Sequence, residues 1–231
     1  MRNRNSIYTT RAFLIILIIL VSIEVNIAQD NSFSHMLTIT SNASQSLFRA
    51  QTSVNQQRES MARAAGVNDY SYERQPARAY PITATDFQVL QAPIMPDQFA
   101  NSAQGVDQLT RQQMRAMFLQ TLAAFEKSGR KNNMASAFTW ISACAFQVRN
   151  GKEPSDADEA KITAYFNNTL AASPDYAVLT PYKQQMLYES VIITGGIMIF
   201  LDNQGKSTNN TQLRAQAAEM SKQVLKMYLG M

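Results

Sequence analysis

The chain has one histidine and one cysteine in 231 residues. A single cysteine excludes an intramolecular disulfide and any zinc site built on thiolates. Cys144 lies in the alanine-rich stretch ISACAF, where it reads as a small buried side chain. A single histidine makes Ser-His-Asp or Cys-His catalysis depend on His35, which sits in a polar stretch and reads as a solvated side chain. Phosphate cradles of the G-x-x-x-x-G-K-[ST] or G-x-G-x-x-G type do not occur. The DADE after Ser155 lacks the glycine and the later glutamate of an EF-hand loop. No cofactor and no metal is expected.

Strong charge is missing as well. Charged residues make up 16% of the chain and the net charge is +4. Three arginines and one glutamate lie in residues 1–28, so residues 29–231 carry 18 basic and 16 acidic side chains, a net +2. Nucleic-acid binding needs a clustered basic footprint, and no nucleic-acid partner is expected. Hydrophobic runs are short: Ala12–Ile23 (AFLIILIILVSI) and Val191–Leu201 (VIITGGIMIFL) both fall below the roughly 20 apolar residues of a bilayer span. No membrane span is expected in the mature chain.

What is present begins with a targeting pattern. Arg2, Arg4 and Arg11 precede the first apolar run, and a small residue, Ala28, follows it. A basic start, a short apolar core and a small residue at the cut describe a secretory signal peptide over residues 1–28, cleaved near Ala28. The alternative, an uncleaved anchor, calls for a longer core. The absence of a cysteine after the core disfavours a lipid anchor. The expected location is secreted or periplasmic, which also suits a chain without disulfides.

Residues 29–79 are rich in Ser, Asn, Gln and Arg and read as a polar, partly disordered region. Leu47, Val54 and Met61 recur every seven residues and mark a possible helix over 47–65, stopped by Gly66. From residue 80 the composition changes. Pro81, Pro93 and Pro96 exclude a long helix, yet Ile82, Phe87, Leu90, Ile94 and Phe99 are too apolar for a solvated linker. An extended arm over 80–101, lying across a helical domain of residues 80–231, satisfies both observations.

The rest reads as about five helices. The first is capped by Thr110 with Gln113 and carries Met114, Met117, Phe118, Leu122 and Phe125 on one face, ending at Gly129. Asn132 or Asn133 opens the second, which runs to Asn150-Gly151. Ser155 and the acidic turn of Asp156, Asp158 and Glu159 open the third, whose buried face is Ile162, Tyr165, Phe166, Thr169 and Leu170, and Pro174 closes it. Thr180-Pro181 starts the fourth, which contains the apolar run and ends over Asp202–Gly205. Asn209 or Asn210 starts the fifth, with Leu213, Ala217, Met220, Val224 and Tyr228 as its stripe. The predicted fold is all-α, a compact helical bundle with the extended arm before it. Its centre is the fourth helix, where Gly195-Gly196 imply close approach by a neighbouring helix backbone.

YPITATDF near Tyr80, Lys131-Asn132-Asn133, NGKEPSD and LYESVIITGG stand in this order. As an ordered set they resemble a bacterial family of secreted helical proteins known only as a domain of unknown function, over roughly residues 80–230. The resemblance implies export and an all-helical domain; it implies no activity, substrate or catalytic residue.

Glu189 is the most informative acidic residue, because it projects from the same side of its helix as Met186, Ile193 and Phe200. A carboxylate on an apolar stripe must be paired, hydrogen-bonded, protonated or near the rim. It is a candidate general acid or base, with Asp86 as its possible partner, or else a tie to a tyrosine, an arginine or the arm. Tyr182, Tyr188 and Trp140 are candidate binding residues, or else core and rim. The leading expectation is an exported, non-catalytic interaction module for a protein partner. The alternatives are a carboxylate-dependent enzyme using Glu189 and a small-ligand or lipid carrier. The oligomeric state stays open.

Overall fold

A computed structural model describes residues 79–229 apart from Gln91, Gln104 and Gly105. The expected signal peptide over 1–28, the possible helix over 47–65 and His35 lie outside the described residues. Among the described residues are a 3-10 turn (Ile82–Thr85) and seven α-helices. These are α1 (Met95–Ser102), α2 (Gln108–Ser128), α3 (Met134–Asn150), α4 (Asp156–Ala171), α5 (Pro174–Ala177), α6 (Pro181–Ser207) and α7 (Thr211–Leu229). The all-α expectation holds. The five long helices stand where the periodicity puts them, and α1 and the single turn α5 are additional.

Helix α6 is the centre. Thr180 caps it by accepting from Lys183 N, and Pro181 occupies the first turn, where its missing N–H costs nothing. It packs most extensively on α3 and α7 and further on α2 and α1, so that Val191, Ile192 and Ile193 are wholly buried. By length and composition it is apolar enough to cross a membrane, yet 78% of its most apolar window is covered by its own neighbours. Burial on all faces accounts for the apolar run.

Gly195 and Gly196 admit side chains rather than a backbone. A Cβ on Gly195 would sit 2.8 Å from Trp140 Nε1, and one on Gly196 would collide with Thr121 Cγ2. The close approach is therefore made by a tryptophan of α3 and a threonine of α2, which corrects the expectation of a neighbouring backbone.

The helix also runs on past Leu201 to Ser207. Gly205 is not its stop: a Cβ there would lie 2.6 Å from Arg214 Cγ, so the glycine makes room for the start of α7. The stop is Asn209, in the left-handed region at φ 54°, with Asn210 N donating back to Gly205 O at 2.9 Å. Asn210 then accepts from Gln212 N and Leu213 N and caps α7. One asparagine ends a helix and the next begins one.

Two further boundaries and one buried face differ from the sequence reading. Asp107, not Thr110, caps α2, accepting from Thr110 N at 2.7 Å and adding a turn. Tyr165 is 40% exposed, because the inward face of α4 is centred on Phe166, Asn167 and Leu170. The arm expected to be extended over 80–101 instead contains the 3-10 turn Ile82–Thr85, and its last part is α1, since Pro96 falls in a first turn where proline is tolerated. Rings close the core at two places: Phe125 meets both Trp140 and Tyr188, and Phe138 meets Phe166 and Tyr228.

Candidate functional site

The arm cannot form regular main-chain pairing, and in this helical domain its amide groups find partners in side chains of the bundle. Its one isolated bridge joins Asp86 to Asn133, with Phe87 N donating to Asn132 O at 2.9 Å. At its start, Tyr80 N donates to Asn168 Oδ1 at 2.9 Å, and Asn167 Nδ2 donates to Tyr80 O and Pro81 O. Asn133 Nδ2 donates to Ile82 O, Thr85 Oγ1 and Asp86 Oδ1, while its Oδ1 caps α3 by accepting from Ser136 N at 2.8 Å. Thr85 Oγ1 donates to Asn167 Oδ1 at 3.0 Å, and Tyr176 Oη donates to Thr85 O at 3.1 Å. Thr85, Asn133 and Asn167 are all buried, so each of these polar groups needs the others.

The far end of the arm is held by α6. Gln185 Oε1 accepts from Leu90 N, and its Nε2 donates to Ala92 O and to Glu189 Oε1. Glu189 Oε2 accepts from Ile94 N and Met95 N, both at 2.8 Å. These two amides are orphan donors at the start of α1, where the neighbouring Pro96 has none. Ile94 has no side chain to cap the helix, and a glutamate from another helix supplies the acceptor and the favourable negative charge.

The candidates named from the sequence fall into separate surroundings. Glu189 is buried, and burial pushes its carboxyl above the ordinary value, against the three donated hydrogen bonds that pull it down. Asp86 is engaged elsewhere. It accepts from Arg130 Nε at 2.8 Å and from Asn133, and the Arg130 hydrogen bond holds its carboxyl below the usual range. The two carboxylates thus belong to separate networks, one on Arg130 and one on the start of α1.

Tyr188 is buried with its hydroxyl accepting from Asn132 N at 3.2 Å, and desolvation raises its pKa well above the ordinary value. Its ring packs edge-on against Phe87 of the arm. Trp140 Nε1 donates to Ile192 O at 3.2 Å beside Gly195. Tyr182 is 41% exposed, one turn before Gln185. Cys144 is buried, and desolvation pushes its thiol up, away from the reactive thiolate. Among the described residues no group of three or more His, Cys, Asp or Glu side chains is placed to hold a metal ion.

Sequence reasoning missed Asn167, Asn168, Tyr176 and Gln185 as fastening residues. Asn167 carried a signal: it directly follows Phe166 on the apolar face of α4 and is buried, where an asparagine requires partners. Its partners lie more than 80 residues away in sequence, which no local pattern reveals.

A family model, described as Family of unknown function (DUF6683), matches residues 8–231. No curated protein and no solved structure matches the chain.

Proposed function

The chain belongs to that family of unknown function, a membership that brings no activity with it, and we propose that it is an exported, non-catalytic helical module that works by binding another protein. One observation carries the non-catalytic part. Glu189 commits both carboxylate oxygens to structural donors, two amides of α1 and the Gln185 side chain. A general acid or base needs an oxygen within reach of a substrate proton. Asp86 is likewise held by Arg130 and Asn133. Export is supported by the basic start and short apolar core of residues 1–28. A periplasmic or secreted location in a bacterial host follows from that pattern and from the lack of disulfide-forming cysteines.

Two measurements test the reading. Mass spectrometry of the protein recovered from the periplasm or medium should give a chain starting at Gln29; a chain retaining Met1 in the cytoplasm would remove the export part. For binding, a photo-crosslinking residue at exposed Tyr182 should give one discrete adduct with an exported protein, competed by excess purified wild-type chain. Adducts absent from Tyr182, Leu109 and Val178 alike would defeat the interaction role, since Val178 and Leu109 are the two most exposed large apolar side chains among the described residues.

A further inference from the structure

We infer that one end of the bundle is a lipid-docking surface, by which the chain sits on an anionic phospholipid membrane without crossing it. The inference goes beyond the protein-binding role and does not rest on it.

That end consists of the arm, the α2–α3 link, α5 and the start of α6, and hydrogen bonds tie these four into one surface. Tyr176 Oη donates to Thr85 O, Gln185 Oε1 accepts from Leu90 N, and Asn132 O accepts from Phe87 N. Val178 and Tyr182 lie between the two gripping residues in the chain, and Val89 and Leu90 belong to the segment they grip. Val178 is 78% exposed and Leu90 54%. With Ile82, these residues make five of the seven exposed large apolar side chains among the described residues. Apolar surface gathered in one place marks a contact site for protein or membrane.

Placement and charge favour the membrane. Val178 and Leu90 stand on a link and on the arm, clear of their neighbours, where lipid chains accept a projecting side chain without a matching hole. Tyr182 brings an amphipathic ring suited to the headgroup layer. The carboxylates of this end are Asp86, Glu126 and Asp175, and its cations are Lys127, Arg130, Lys131 and Lys183. Arg130 pairs with Asp86 and Lys131 with Glu126, so exposed Lys127 and Lys183 face only Asp175. Lys183 directly follows Tyr182, which puts a cation beside the apolar tip. Cations so placed are drawn to anionic headgroups over a range of about 8 Å at physiological salt. A small apolar tip and a small positive excess each bind weakly, and together they hold the chain reversibly at the surface.

The test is co-sedimentation of the chain lacking residues 1–28 with vesicles of phosphatidylglycerol and phosphatidylcholine in equal amounts. The chain should bind these about tenfold more tightly than vesicles of phosphatidylcholine alone, and added salt should erase the difference. Val178→Asp with Leu90→Asp should abolish binding, and Lys127→Glu with Lys183→Glu should remove the preference for the anionic lipid. Leu109→Asp is the control: it changes a side chain 63% exposed at the start of α2, about 27 Å of helix from Lys127, and should bind as wild type does. All five positions are exposed, so equal urea midpoints should show that the variants remain folded. A second readout uses the burial of Cys144, which leaves an introduced Val178→Cys as the accessible thiol. An environment-sensitive dye there should shift to the blue on adding the mixed vesicles, and the same dye at Leu109→Cys should not. Wild type that stays in solution with the mixed vesicles, or equal loss from Leu109→Asp and from the Val178 and Leu90 pair, overturns the proposal. The two readings fail separately. Vesicle binding with no protein adduct at Tyr182 keeps the lipid surface alone, and a Tyr182 adduct with no vesicle binding assigns this end to a protein and overturns it.

Discussion

Replacing Glu189 by alanine removes three hydrogen bonds at once, each 2.8 Å long: two from the first amides of α1 and one from Gln185. Bonds to a charged group contribute about 1.5–3 kcal/mol each, a gross loss of about 5–9 kcal/mol. Against this, the variant no longer buries a carboxylate, whose desolvation costs several kcal/mol. The net expectation is a destabilisation of about 2–4 kcal/mol, the upper part of the range for a lost cap because two buried amides are stranded. Glu189→Gln keeps an oxygen for those amides but turns an NH2 toward Gln185 Nε2, a donor facing a donor, and should cost about 1–2 kcal/mol. The assay is urea denaturation, with amide exchange read at Met95 and through α1. Titration supplies a further check. Burial raises the Glu189 carboxyl above its ordinary 4.5 in the folded state, so its contribution is fully present below that value and declines as pH rises through the folded one. The stability gap between wild type and the non-titrating Glu189→Gln should therefore narrow from pH 4 toward pH 7. An alanine variant within about 0.5 kcal/mol of wild type, with α1 exchange unchanged, would refute the capping role.

Three other outcomes follow from the same geometry. Asn133→Ala should cost about 3 kcal/mol, combining a lost cap on α3 with stranded partners in the arm, and limited proteolysis should then cut within residues 79–94. Gly196→Ala forces a methyl onto Thr121 and should cost about 1–3 kcal/mol by denaturant titration, largely recovered when Thr121→Ala is added. Asp86 behaves opposite to Glu189: its depressed carboxyl contributes stability present above the ordinary 3.8 and lost as pH falls through the folded value. Asp86→Asn should flatten that acid limb, and because the Arg130 pair is partly exposed, added salt should shrink the effect.

Elements whose cause is local were legible in the chain. Asn133, Ser155 and Thr180 cap the helices they precede, and Gly151 ends α3 at φ 72°. The same local reasoning failed where two residues offered the same chemistry. Asp107 and Thr110 are both good caps, and the helix starts at the former although the extra turn it adds is largely exposed. Gly205 carries a stop signal in composition, but its reason lies in Arg214 of the next helix. For Glu189, periodicity showed that a buried carboxylate needed partners; their identity required Ile94 and Met95, about 95 residues earlier.

The arm's fastening also explains why separate stretches of sequence form one recognisable set. YPITATDF is the arm itself. Lys131-Asn132-Asn133 supplies the bridge to Phe87 and the buried asparagine that reads Ile82 and Thr85. LYESVIITGG supplies Tyr188 under Phe87, Glu189 under the start of α1, and the two glycines that admit Trp140 and Thr121. NGKEPSD differs in kind, ending α3 at Gly151 and starting α4 at Ser155. Two of the four motifs thus hold the segment to which a third belongs, a segment that has no sheet to join. Polar residues buried for that purpose resemble catalytic residues in sequence, because both are ionisable or amide side chains on apolar faces. What separates them is whether an atom is left over, and at Glu189 both oxygens are taken.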